Sequence, residues 1–97
     1  MSEHNFKSAL NFTSRDFETE ILDRFRAIVG ILPLDCKLSR EPWGSSTVLA
    51  LDFSACIYHL EIVKENSAIL LDALQQLGMG KSVIFRHGSH VKAFRHV

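Results

Sequence analysis

Three side chains in the middle of this chain have the types and spacing for acid–base chemistry. Asp52, His59 and Glu61 fall in two runs, Thr47–Phe53 and Ile57–Val63, whose residues alternate at period two. Read as strands, the runs put Leu49, Leu51, Phe53, Tyr58, Leu60 and Ile62 on one side. Val48, Ala50, Asp52, Ile57, His59 and Glu61 fall on the other. A histidine with a carboxylate neighbour has a pKa suited to proton transfer near neutral pH. However, no Ser or Cys nucleophile is fixed beside the trio, and polar residues are what the less apolar face of a sheet carries anyway. A small enzyme or ligand-binding protein with Asp52, His59 and Glu61 at a sheet cleft is therefore the alternative reading.

Two further patterns fail on their own geometry. Gly78–Ser82 reads GMGKS, but a phosphate-binding loop needs G-x-x-x-x-G-K-[ST], and its first glycine falls on Gln75. Here a helix ends and a strand begins, the reverse of the order that brings a helix N-terminus to phosphate. His87 and His90 flank a tight turn, with His96 as a conceivable third metal ligand. Six residues of extended chain separate His90 from His96 by roughly 20 Å, too far for one coordination shell. No metal and no cofactor is expected.

Basic residues alternate with aromatics near the C-terminus, where Lys81, Phe85, Lys92, Phe94 and His96 resemble in composition a sheet that stacks bases. Every Asp and Glu lies at or before Asp72, so residues 1–80 carry 7 basic and 11 acidic residues (net −4) and residues 81–97 carry 4 basic and none acidic (net +4). The whole chain is neutral, and no RNA-recognition signature is present. Weak binding of single-stranded nucleic acid through Lys81, Lys92 and His96 is kept as a second alternative and is not expected.

The elements that must position these residues follow from periodicity. Gly88 and Ser89 suit a two-residue type II′ turn, which needs positive φ at its first central position, so Lys81–Val97 reads as a hairpin. An uninterrupted register pairs His87 with His90, Phe85 with Lys92 and Val83 with Phe94. One face then carries Val83, Phe85 and Phe94 with Lys81, Lys92 and His96. The other carries Ile84, Val91, Ala93 and Val97 with Ser82, Arg86 and Arg95. Both faces are half apolar, which predicts cover on both.

Upstream, Thr13 reads as a helix N-cap with Asp16 three residues on, and Phe12 and Phe17 are spaced for a hydrophobic staple. Phe17, Ile21, Leu22, Phe25, Ile28, Val29 and Leu32 then recur at helical spacing. The run NFTSRDFE resembles the openings of some phage baseplate proteins. It covers about a tenth of the chain and equally marks a capped helix start, so no function is taken from it. Gly30 and Pro33 stop the helix, and Leu34–Ser46 reads as a loop containing Trp43. Trp43 fits a lid over the core or an interface contact. A second helix is expected over Ser67–Leu77, capped by Gly78. A rival pattern runs Ser54–Leu77 as one helix, because Ile57, Leu60, Val63, Leu70, Leu74 and Leu77 share a 3.5-residue period.

The expected fold is α+β: an arm over 1–12, then one domain over 13–97 with two helices packed on a four-stranded antiparallel sheet. Its order, α-β-β-α-β-β, is that of a permuted ferredoxin-like unit. The hydrophobic fraction of 46% and charged fraction of 23% are those of an ordinary globular domain. No apolar run is long enough for a membrane span, and the N-terminus lacks signal-peptide order, which implies the cytoplasm. Cys36 and Cys56 have neither disulfide-framework nor zinc spacing. The leading expectation is a non-enzymatic binding or adaptor domain that forms a homodimer through Val83, Phe85 and Phe94, with Trp43, or that uses the same surface for another protein.

Overall fold

Helix α1, Ser14–Val29, forms where the apolar stripe requires it in the computed structural model, which describes residues 14–97. Phe25 and Val29 are buried, and Ile21 and Leu22 pack against the same core. The expected arm over 1–12, the Thr13 cap and the Phe12 staple lie outside the described residues. At the helix end Gly30 takes φ +73° and its amide donates to Arg26 O, while the Arg26 guanidinium donates to Pro33 O at 2.9 Å and Cys36 O at 2.7 Å. One side chain thus fastens the chain reversal that leads into the sheet.

Strand β1, Lys37–Trp43, occupies the stretch expected to be a loop. Leu38 is the only one of its residues packed against the main core, so the stretch shows no apolar alternation. Pro42 is tolerated because β1 is an edge strand and one side of its backbone needs no ladder partner. Strand β2, Ser46–Asp52, pairs with it antiparallel through a two-residue turn in which Gly44 has φ +65°.

The run Ile57–Val63, expected to be a strand, is instead helical. A short 3-10 turn, Ile57–His59, leads into α2, Leu60–Glu65, and α3, Ser67–Leu77, follows after Asn66. The rival long-helix period is closer to what forms. Leu60, Val63, Leu70, Ala73 and Leu74 are buried at helical spacing, and that burial overrides the β preference of Ile57, Tyr58, Ile62 and Val63. Tyr58 and Ile62, which the strand reading groups with Leu49 and Leu51, are exposed while those two are buried. The chain breaks at Asn66, whose side chain donates to Ile62 O at 2.8 Å, while Ser67 Oγ donates to Lys64 O. Helix α3 ends as expected at Gly78 in the left-handed conformation, with the Gly78 and Met79 amides donating to the last-turn carbonyls.

Strand β3, Ser82–His87, lies beside β2 and parallel to it, and β4, His90–His96, returns antiparallel to β3. The sheet order is β1-β2-β3-β4, so the sheet is mixed and not antiparallel throughout. The reason is the helical crossover between β2 and β3, which brings the chain back to the end where β2 began. Among the described residues the order is α-β-β-α-α-β-β, with three helices, which departs from the permuted ferredoxin-like arrangement.

The terminal hairpin forms with Gly88 at φ +63° and His87 opposite His90, but its register then slips. Arg86 pairs with Val91 and Phe85 with Ala93, leaving Lys92 as the extra residue of a β-bulge. A one-residue slip exchanges the faces of everything beyond it. Val83 therefore pairs with Arg95, and Ile84 with Phe94.

Candidate functional site

The bulge decides which side chains meet. Val83 and Phe85, expected on an interaction surface with Phe94, are fully buried beneath the helices with Leu49, Leu51, Phe53 and Leu74. Phe94 projects from the opposite face, the outer one, where Val48, Ala50 and Ile84 form a separate small buried cluster. Trp43 stands on the same face at the other edge of the sheet.

Trp43 and Phe94 come from β1 and β4, the two edge strands, yet their rings stack at 6.0 Å between centroids and 22° between planes. Adjacent strands lie about 4.8 Å apart, so rings from the two edges meet only by reaching over the middle pair. Those strands carry Val48, Ala50 and Ile84 there. His96 extends the row, stacked on Phe94 at 6.3 Å. Trp43 and Phe94 are themselves 41% and 44% exposed, and Val91 and Val97 add exposed apolar surface at the same edge.

Beside the rings lies a paired charge. Arg86 donates from Nε and Nη2 to the two carboxylate oxygens of Glu41, each at 2.7 Å, and the Trp43 indole N–H points at the same carboxylate at 3.4 Å. The Arg86 hydrogen bonds hold the Glu41 carboxyl below its ordinary range, and Glu41 in turn raises Arg86. This two-pronged pair spans β1 to β3 and leaves the centre of the face without net charge. Sequence reasoning missed it because Glu41 lay in a presumed loop; the only trace was Arg86 on the same face as Ile84.

The other candidates separate. Asp52 ends β2 and accepts from Ser54 N, Ser54 Oγ and Gly88 N, which ties the strand end to the terminal turn. The Ser54 hydroxyl bond is the largest cause of its lowered pKa. His59 and Glu61 lie on the helical segment, exposed, with Glu61 paired to Lys64 at 3.0 Å. The strand that was to align them with Asp52 does not exist. Lys81 sits in the connection before β3, Lys92 in the bulge, and His96 at the end of the aromatic row. Among the described residues no group of three or more potential metal ligands is present.

The two thiols, far apart in sequence, lie in contact in the main core. Burial above all, with Cys56 alongside, pushes Cys36 from 9.0 up to about 12, and burial raises Cys56 as well. Such thiols are poor nucleophiles. Among the described residues no helix is long and apolar enough to cross a membrane. No known protein family, curated protein or solved structure matches this chain.

Proposed function

We propose that the protein is a small non-enzymatic binding domain of the reducing cytoplasm, and that it forms a homodimer through the outer face of its sheet. The observation that carries this reading is the Trp43–Phe94 stack, half exposed over a buried aliphatic floor. Aromatic anchors in such settings dominate protein contacts, whereas the internally satisfied Glu41–Arg86 pair adds specificity at little desolvation cost. The contact centres on Trp43, Phe94 and Val91; Val83 and Phe85 support it from the core beneath. A two-fold axis through this face would set one ring pair against the other. Another protein with a complementary apolar patch is the alternative occupant.

Sedimentation velocity at micromolar concentration tests the proposal. A species of about twice 11.0 kDa is expected, converted to a monomer by Phe94→Asp without loss of helical circular dichroism. A wild-type monomer, or a dimer that Phe94→Asp leaves intact, would count against it.

A further inference from the structure

At one end of the sheet the β1–β2 turn, the connection from α3 to β3 and the last residues of β4 enclose a hollow of about 580 Å³. Among the described residues its lining holds the cations Arg40 and Lys81 and the His96 imidazole, and no carboxylate. Ser45, Ser46, Thr47 and Ser82 add hydroxyls to the lining, that of Ser46 being donated to Trp43 O. Thr47 Oγ1 accepts from Arg40 at 3.3 Å, so its own proton remains available to a ligand. This is a set of donors with little to receive them.

Two details point the same way. Among the described residues Arg40 Nε is buried without a hydrogen-bond partner; the Glu18 carboxylate comes no nearer the guanidinium than 3.8 Å, at Nη1, and its own Oε2 is likewise buried and unpartnered, so this ion pair is only loosely formed. A buried donor left without an acceptor is destabilising, and an anionic oxygen in the hollow would relieve it. The connection itself, Gly78-Met79-Gly80-Lys81, folds back with φ +65° at Gly78 and +121° at Gly80. The Gly78 and Met79 amides are used to close α3, but those of Gly80 and Lys81 donate to no backbone carbonyl among the described residues.

We infer that this hollow is a binding site for a phosphate group, free or as a monoester. The run GMGKS thus meets an anion without being a phosphate-binding loop. A helix ends here, so the local dipole opposes an anion, and the attraction must come from Arg40 and Lys81. The imidazole of His96 lines the hollow and also stacks on Phe94, so the aromatic row starts at its rim. A monoester with an aryl group would lay its ring along that row. Phosphate itself would bind monomer and dimer alike, whereas an aryl ring on the Phe94 row would compete with a second protomer for that face.

The test is an amide chemical-shift titration of the full chain at low salt with two probes, inorganic phosphate and phenyl phosphate. Saturable shifts at Gly80, Lys81 and Ser82 are expected with both, with phenyl phosphate binding more tightly if the monoester is the natural form. Equal affinities would assign the site to free phosphate. Lys81→Ala, at an exposed side chain that the fold does not need, should weaken binding about tenfold, since a charged hydrogen bond is lost. Lys92→Ala, in the bulge, should leave it unchanged. Absence of saturable shifts up to about 10 mM of either probe would overturn the inference, as would equal weakening by Lys81→Ala and Lys92→Ala, which would reduce the effect to net charge.

Discussion

On the helix side of the sheet, Leu49, Leu51, Val83 and Phe85 are fully enclosed by α1, α2 and α3. On the other side Val48, Ala50 and Ile84 are 4%, 2% and 0% exposed, although among the described residues no helix shares their cluster. The first face is buried by whole elements, the second beneath an aromatic stack sent across from the two edge strands and an ion pair between β1 and β3. Burial shared among many residues withstands change at any one exposed position. Burial that rests on a few edge residues can be altered one side chain at a time, and this is what a recognition surface needs. The contrast assigns stability mainly to the inner face and specificity to the outer one.

The sharpest way to break that assignment is a large-to-small change in the inner core. Phe85→Ala removes a fully buried ring stacked on Phe53 at 6.1 Å and should cost about 3–5 kcal/mol in urea unfolding. Against a total of roughly 5–15 kcal/mol for a domain, this approaches loss of the fold at growth temperature. A cost below about 1 kcal/mol would mean that the helix face is not where stability resides.

Acid and alkali should weaken different faces. Cys36 lies in the inner core and holds its proton up to about 12 in the folded state, against 9.0 when free. From 9.0 upward the unfolded chain loses this proton while the folded chain keeps it, so stability falls as pH climbs toward 12. Cys36→Ala removes the larger part of that alkaline limb, and Cys56, also raised by burial, keeps the remainder. On the outer face Glu41 titrates below its ordinary 4.5 because Arg86 binds the carboxylate. Its contribution is complete above 4.5 and disappears as pH falls through the depressed value, and Glu41→Gln abolishes this acid limb. Urea titrations across pH would show the alkaline loss as the larger, because the Glu41–Arg86 pair remains partly solvated.

Parts of this contrast were legible in the sequence. Helix α1 and helix α3 with its Gly78 cap follow from apolar periodicity and end signals, and the hairpin turn follows from Gly88. The α+β class follows from these. Strand β1 was hidden because an edge strand with one core contact has no alternation to read, and this concealed Glu41 and the setting of Trp43. The helical Ile57–Val63 was hidden because its β-branched residues point to the wrong state, and which of its faces is buried depends on α1 and α3. With it went the Asp52–His59–Glu61 cluster. The hairpin contained Phe94, Ile84 and Arg86 in plain view, but nothing in its composition places a bulge, and so Phe94 was assigned to the face of Val83.

That bulge gives the smallest and most specific test. Lys92 has no cross-strand partner, and Arg86–Val91 and Phe85–Ala93 are paired on either side of it. Deleting Lys92 makes these two pairs consecutive without changing either. Phe94 then stays opposite Ile84 and in contact with Trp43, and stability should shift by no more than about 0.5 kcal/mol. Deleting Ala93 shortens the strand equally but moves Lys92 opposite Phe85, where its stem meets the inner core, and should be clearly more destabilising. Emission from Trp43, the single tryptophan, reports the outcome. An unchanged maximum in the Lys92 deletion, with a loss of stability in the Ala93 deletion, fits a bulge that only absorbs one residue. A red shift in the Lys92 deletion would mean that the strand re-pairs and Phe94 turns away, so that the outer face depends on the bulge itself.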